Sequence, residues 1–272
     1  MNEESKINAL INIGQSKIIE KAYDDIFSEP SKKAGSALGT IINIGNTVLW
    51  PVKWVNERTR IYFENNLKKY EEKISHIPED KIIEIPTEIS MPILDRFTYT
   101  SNEELSNAFV NLLVCASSID DVNKAHPGFI QIIDRLSPDE AILLKYLANV
   151  NCIATLDIQY YEFFDDPKRK GEYVHLLKNA TLLQNKVEFK FPENINIYLE
   201  NLTSLALIQE RTYYYTNCEE EFIEVEKLNS EYLNVIFDKY DEKQLPKAKK
   251  VQKGMFEKTQ YGELFIKACI QK

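Results

Sequence analysis

Apolar residues recur every three or four positions along several segments, and this period constrains the fold more than any other feature. The clearest segment is 105–119, whose apolar residues fall on one side of a helix. They are Leu105, Ala108, Phe109, Leu112, Leu113, Ala116 and Ile119. Ser101 and Glu104 stand just before them at the spacing of a capping box. We therefore predict a core helix here, in a protein that is mainly α with a small β component.

A second helix start is marked by Ser137, Pro138 and Glu140. These residues supply an N-cap hydroxyl, a proline at the first helical position and a carboxylate that can reach back to the cap. Residues 4–27 form another periodic segment. Residues 56–75 alternate charges of both signs, which is typical of a solvated helix face. All of these segments are predicted to be helical.

The second half of the chain mixes helical and β-rich patterns. After the helix that starts at Pro138, the predicted elements are a short strand at 187–191, a helix at 194–207, a β-rich stretch at 212–216, a returning strand at 255–258 and a last helix from Thr259. This order resembles a winged helix. We therefore expect an N-terminal helical domain over residues 1–125 and a winged-helix-like α+β domain over residues 126–272.

The charge distribution argues against DNA binding by that second domain. The whole chain has a net charge of −9, whereas phosphate binding needs a basic face. Residues 181–240, which include the candidate recognition helix, hold 5 basic and 11 acidic residues. Residues 241–272 hold 8 basic and 4 acidic residues, and four lysines cluster there. They are Lys247, Lys249, Lys250 and Lys253. A nucleic-acid-binding regulator is therefore the alternative, and a scaffold for protein contacts is the leading interpretation.

The rare residues provide no pattern for catalysis, a metal or a cofactor. The four cysteines contain no C-x-x-C, the three histidines no H-E-x-x-H, and the eight glycines no phosphate-binding loop. We expect no enzyme, no metal site and no cofactor. Isolated cysteines of this kind are typical of small buried residues in a reducing compartment. With no secretory signal at the N-terminus, they indicate a cytoplasmic protein.

The segment 34–52 contains no charged residue. Its apolar residues form one helical stripe, and polar residues lie on the other side, which is unusual for a helix surrounded by lipid. Three interpretations remain open: a helix packed in the core or on a partner, a helix that lies in or switches into a membrane, and a permanent span. The residues that define this candidate membrane or partner helix are Gly35, Gly39, Ile42, Gly45, Trp50 and Trp54.

Several strings resemble the abortive-infection alpha family. The most distinctive string is His126-Pro127-Gly128-Phe129-Ile130-Gln131-Ile132-Ile133, followed by Leu136-Ser137-Pro138-Asp139-Glu140-Ala141. Weaker similarity covers most of residues 22–270. The resemblance implies a bacterial or prophage-borne protein associated with antiviral defence, and it brings no known active site, cofactor or reaction.

His126 is the obvious candidate for a catalytic histidine, but its neighbours favour a structural role. Pro127 restricts the backbone before it, and Phe129 is expected to be buried. We interpret His126, Pro127 and Phe129 as a junction between the two predicted domains. The protein is expected to act without catalysis, through a protein partner or self-association. In a sharper version, the helix 34–52 is released onto the inner membrane upon activation.

Overall fold

A computed structural model describes Ala37, residues 57–215 and residues 218–271. By their contacts the residues form two compact units. One unit extends to Ala141 and includes the chain again from Leu264, and the other is Ile142–Glu263. The prediction of a mainly α protein with a small β component is confirmed. The domain boundary after residue 125 stays a prediction, and the helix predicted over 4–27 lies outside the described residues.

The described elements are numbered here in chain order. The helices are α1 (Glu57–Ile74), α2 (Thr87–Phe97), α3 (Glu103–Ala116), α4 (Gly128–Asp134), α5 (Pro138–Asn149), α6 (Leu183–Lys186), α7 (Ile195–Ser204), α8 (Glu219–Leu228), α9 (Ser230–Phe237), α10 (Leu245–Ala248) and α11 (Gln260–Phe265). A π-helical turn, Ile266–Ile270, follows α11. The strands are β1 (Cys152–Tyr160), β2 (Val174–Ala180), β3 (Ile208–Arg211) and β4 (Lys249–Lys258).

Helix α3 is the centre of the first unit. Every residue of its second half, from Ala108 to Ala116, is buried, because α1, α2, α4 and the π-helical turn pack around it. The predicted core helix is thus confirmed, with two corrections at its ends. Asn102, not Ser101, is the N-cap, and its side chain accepts a hydrogen bond from the backbone N–H of Leu105 at 3.1 Å. Ile119 lies beyond the end of the helix and is 59% exposed.

Helix α1 was interpreted as a solvated charged helix, and this holds for one side only. Its other side buries four large side chains against the first unit, and these are Phe63, Leu67, Tyr70 and Ile74. On the solvated side, Arg60 donates hydrogen bonds to Glu57 and Glu64, both at 2.7 Å. A segment with alternating charges thus forms an amphipathic helix, because its Glu, Lys and Arg residues occupy the positions between the buried ones.

Buried polar side chains connect the helices of the first unit at defined points. Asn66 on α1 donates to the carbonyl oxygen of Phe97 at 3.0 Å. Tyr70 and Ser117 are joined by a hydroxyl–hydroxyl bond of 2.8 Å, and burial raises the pKa of the Tyr70 phenol. Asn111 on α3 donates to the carbonyl oxygen of Cys269 at 2.8 Å. Each bond pairs a buried polar group, which would cost free energy if it were left without a hydrogen-bond partner.

The capping box predicted at the start of α5 is confirmed. The Ser137 hydroxyl accepts from the backbone N–H of Glu140 at 3.2 Å, and the Glu140 carboxylate accepts from the backbone N–H of Ser137 at 2.6 Å. The two bonds satisfy donors that the first turn of a helix leaves free.

Helix α2 contains a proline, Pro92, in its interior.

The second unit is built on a four-stranded antiparallel sheet in the order β2-β1-β4-β3. Strand β1 lies in the interior of the sheet and pairs with β4 over its whole length, from Cys152 opposite Glu257 to Tyr160 opposite Lys249. Successive side chains of β1 therefore point to opposite faces. Ala154, Leu156 and Ile158 are buried on the face that α8 and α9 cover.

The strand predictions were partly wrong. Residues 187–191 do not form a strand, and the interior strand β1 and its neighbour β2 were not predicted. The strand at 255–258 is confirmed and is longer, as β4. Residues 212–215 of the predicted β-rich stretch form no strand, and β3 ends before them at Arg211. Strands β3 and β4 pair, but α8 and α9 intervene between them. The winged-helix description stays a prediction.

We expect the substitution Asn111→Ala to lower the free energy of unfolding by about 1–3 kcal/mol, because the buried carbonyl of Cys269 loses its donor. The matched control is Asn107→Ala on the same helix, which we expect to change stability by only about 0.5 kcal/mol. Urea unfolding followed by circular dichroism measures both. Equal destabilisation by the two variants would contradict the assigned role of Asn111.

Candidate interaction surface

Helices α8 and α9 each bury one side against the sheet. Phe222 and Val225 on α8, and Leu233 and Phe237 on α9, share a hydrophobic cluster with the apolar face of β1. Their spacings of three and four residues are those of a single helix face. The segment 219–237 contains more apolar residues than these inward faces use.

The remaining apolar residues of α8 and α9 are exposed. They are Ile223 at 63%, Leu228 at 55%, Tyr232 at 50% and Val235 at 82% relative exposure. Single exposed apolar residues are normal on a protein surface, but these four belong to two consecutive helices. We call them the α8–α9 face. The sequence contains one signal for it, since apolar residues outnumber the positions of one helical stripe in 219–237.

The glutamates of α8 and α9 fall into two groups. Glu219 and Glu226 form ion pairs with Lys253 and Lys249 on β4, and Glu221 pairs with Lys186 at 2.7 Å. A second group of exposed glutamates has no cationic partner among the described residues. These are Glu220, Glu224 and Glu231. Exposed acidic and exposed apolar residues therefore alternate along these two helices.

The four lysines singled out in the sequence are divided by these ion pairs. Lys249 and Lys253 form ion pairs with glutamates of α8. The hydrogen bond with Glu219 raises the pKa of Lys253. The Lys253 ammonium also lies 5.2 Å from the ring centre of Phe222. Lys247 lies 6.0 Å from the ring centre of Phe164, and Lys250 is exposed. Half of the basic cluster is thus neutralised by the protein's own glutamates.

His126, Pro127 and Phe129 lie at the start of α4. The Nδ1 atom of His126 accepts a hydrogen bond from the backbone N–H of Gly128 at 3.0 Å, and the His126 side chain is exposed. Phe129 is fully buried, and its ring meets the ring of Phe265 edge to face at 5.2 Å. His126 thus precedes the N-cap residue Pro127, and its ring accepts from the first residue of α4. Its role at a domain junction stays a prediction.

The candidate helix 34–52 lies outside the described residues except for Ala37. The six residues that define it, Gly35, Gly39, Ile42, Gly45, Trp50 and Trp54, are all outside that part of the chain. Ala37 is helical and fully buried, and its carbonyl oxygen accepts a hydrogen bond from the N–H of Ile85 at 3.4 Å. In the part of the chain that the structure describes, no helix combines the length and apolar character needed to cross a membrane.

One pair of cysteines differs from the sequence prediction that all four are isolated. Cys152 and Cys218 are not isolated, because their Sγ atoms lie 3.7 Å apart. Burial, followed by the hydrogen bond and charge of Cys218, raises the pKa of Cys152 to about 12. Cys152 is therefore a protonated, weakly nucleophilic thiol at neutral pH. Among the described residues, no group of three or more His, Cys, Asp or Glu side chains is placed to hold a metal ion.

At pH 8 we expect Ellman's reagent to react slowly with Cys152 in the folded protein. A pKa of about 12 leaves roughly one thiol in ten thousand ionised at that pH, and the thiolate fraction rises as the pH rises. The rate of labelling should increase about tenfold per pH unit between 8 and 10, with Cys152→Ser as the control that assigns the signal. Rapid labelling of Cys152 at pH 8 would contradict the raised pKa.

Comparison with known proteins identifies one family model. It is described as abortive infection alpha and matches residues 62–269. No curated protein matches the chain. One similar solved structure is that of an uncharacterized protein from the hydrocarbon-degrading marine bacterium Alcanivorax borkumensis SK2. It has 16% sequence identity and a TM-score of 0.32, over 55% of this chain and 95% of that chain.

Proposed function

The chain belongs to the abortive infection alpha family, and from this premise we propose that it acts in bacterial antiviral defence by binding another protein. Binding occurs through the α8–α9 face, and no chemical reaction is catalysed. The observation that carries this proposal is the exposure of four large apolar side chains on two consecutive helices. Grouped apolar residues with a polar rim are typical of protein interaction sites.

The charge around the α8–α9 face selects the kind of partner. Glu220, Glu224 and Glu231 stand beside the apolar residues without a cationic partner among the described residues. Two copies of a chain with a net charge of −9 repel each other. The occupant that fits is a different protein, with an apolar surface flanked by lysine or arginine. Charge complementarity of this kind raises the association rate and excludes acidic partners.

We expect the double substitution Ile223→Asp and Val235→Asp to abolish protection against phage, because it places two desolvated charges in the contact. Both side chains are mostly exposed, so stability should change by only about 0.5 kcal/mol per site. The control is Ile197→Asp on α7, where the side chain is 60% exposed and belongs to neither α8 nor α9. Efficiency of plating of a phage panel, with thermal melts of each variant, measures the effect.

Two outcomes would contradict this proposal. Undiminished protection by the Ile223→Asp, Val235→Asp protein would exclude the α8–α9 face. A dimer in light scattering that Val235→Asp dissociates would make a second copy the occupant, contrary to the basic partner inferred from the charge. Glu224→Lys separates the two cases, since it weakens binding of a basic partner and relieves repulsion between two copies.

A membrane-active version of the proposal concerns the segment 34–52. Its uncharged helical stripe supports this version, and the burial of Ala37 supports a packed resting state from which the segment would have to be released. The activated protein should then release dye from liposomes, whereas Gly39→Leu and Ile42→Asp should reduce the release. Leakage and protection that are both unchanged in these two variants would contradict the membrane version and leave the α8–α9 face as the acting surface.

A further inference from the structure

Two cysteines that are far apart in the sequence meet between the sheet and α8. Cys152 is the first residue of β1, and Cys218 is the N-cap residue of α8. Their Sγ atoms lie 3.7 Å apart. The S–S bond of a disulfide is about 2.05 Å long, so a small approach of the two sulfurs is enough to form one. Neither cysteine belongs to the α8–α9 face, and nothing in the proposed function uses the pair.

The packing of the second unit holds the two thiols together. Cys218 belongs to the hydrophobic cluster between the sheet and the helices, and Cys152 packs against that cluster. Phe222, one turn after Cys218, is buried in the same cluster, and Glu219 forms an ion pair with Lys253 on β4. The start of α8 is thus attached to the sheet next to Cys218, and the thiol pair is a consequence of this packing.

Access from solvent separates this pair from the other two cysteines. Cys152 is partly exposed, whereas Cys218 is 4% exposed and both Cys115 and Cys269 are fully buried. A small neutral oxidant such as hydrogen peroxide therefore reaches the sulfur of Cys152 first. The thiol that lies 3.7 Å from this sulfur is that of Cys218.

The raised pKa of Cys152 sets the speed of oxidation and of its reversal. Burial, followed by the hydrogen bond and charge of Cys218, raises this pKa to about 12. Few thiolates are present at neutral pH, so oxidation is slow there and accelerates as the pH rises. A thiol of high pKa is also a poor leaving group, so a disulfide opens slowly by release of the Cys152 sulfur.

Hydrogen peroxide closes the bond in two balanced steps. The Cys152 thiolate attacks one peroxide oxygen, the O–O bond breaks, and Cys152 becomes a sulfenic acid while the departing hydroxide is protonated to water. The Cys218 sulfur then attacks the Cys152 sulfur, the S–O bond breaks, and a second water carries away the Cys218 proton. The two thiols together lose two electrons and two protons, and one peroxide is reduced to two waters.

We propose that Cys152 and Cys218 are a site of reversible oxidation by peroxide, which joins β1 to the start of α8 through a disulfide bond. In a reducing compartment the thiols persist, and the bond forms when peroxide is in excess. The bond closes a long loop of the chain and so restricts the unfolded state. Oxidation therefore stabilises the second unit and holds α8 on the sheet. This chemistry is independent of what the α8–α9 face binds.

The test is peroxide treatment of the reduced full chain at pH 8 and pH 9. The remaining thiols are then alkylated with N-ethylmaleimide under denaturing conditions, and tryptic peptides are analysed by mass spectrometry. We expect a monomer with one peptide pair linked between Cys152 and Cys218, while Cys115 and Cys269 are alkylated. The link should form about tenfold faster at pH 9 than at pH 8, and dithiothreitol should restore both thiols.

Matched variants assign the link to this pair. Cys152→Ala and Cys218→Ala should each abolish it, whereas Cys115→Ala should leave it unchanged. In the Cys218→Ala protein the Cys152 sulfenic acid has lost its partner thiol, so dimedone should trap it. Urea unfolding gives an independent readout: oxidation should raise the midpoint of the unmodified sequence by about 1 M and leave that of Cys152→Ala unchanged.

Four outcomes would overturn the proposal. The first three are a Cys152 sulfinic acid that accumulates without a linked peptide, a link that occurs only between two chains, and a link between Cys115 and Cys269 that forms first. The fourth is an oxidised protein with an unchanged urea midpoint, because the bond would then not hold α8 on the sheet.

Discussion

The complete burial of the second half of α3 is the constraint on which the first unit depends. A helix that is apolar on all sides must be covered on all sides, and α1, α2, α4 and the π-helical turn at the chain end provide that cover. The polar residue Asn111 can be buried there only because Cys269 offers its carbonyl oxygen. The chain end is thus part of the core of this unit, although it is remote from α3 in sequence.

The second unit depends on a comparable constraint at β1. Its two faces have different chemistry, because Ala154, Leu156 and Ile158 pack under α8 and α9 while Thr155 and Asp157 border a polar pocket. One strand thereby supports two surfaces. Glu219 and Glu226 of α8 form ion pairs with Lys253 and Lys249 of β4, so two of its glutamates hold this helix against the sheet.

Local patterns predicted the helices well and the sheet poorly. The capping box at Ser137 and the stripe of α3 depend on residues within one or two turns, so the sequence contains all the information needed. The strand β1 pairs with β4 about one hundred positions away. Its mixture of apolar and polar residues can be explained only when the environments of both faces of the sheet are known. Residues 187–191 alternate apolar and polar side chains and yet form no strand, so local alternation alone does not decide strand pairing.

The sequence by itself determined the helical class, the family to which the chain belongs and the acidity that disfavours nucleic acid. These properties depend on composition or on short strings, and neither requires a partner elsewhere in the chain. Only the tertiary structure decided which apolar residues remain exposed on α8 and α9, that Cys152 meets Cys218, and that Thr155 and Gly254 line the same polar pocket. Each of these depends on contacts between distant residues, and burial is a property of the packed molecule rather than of the residue type.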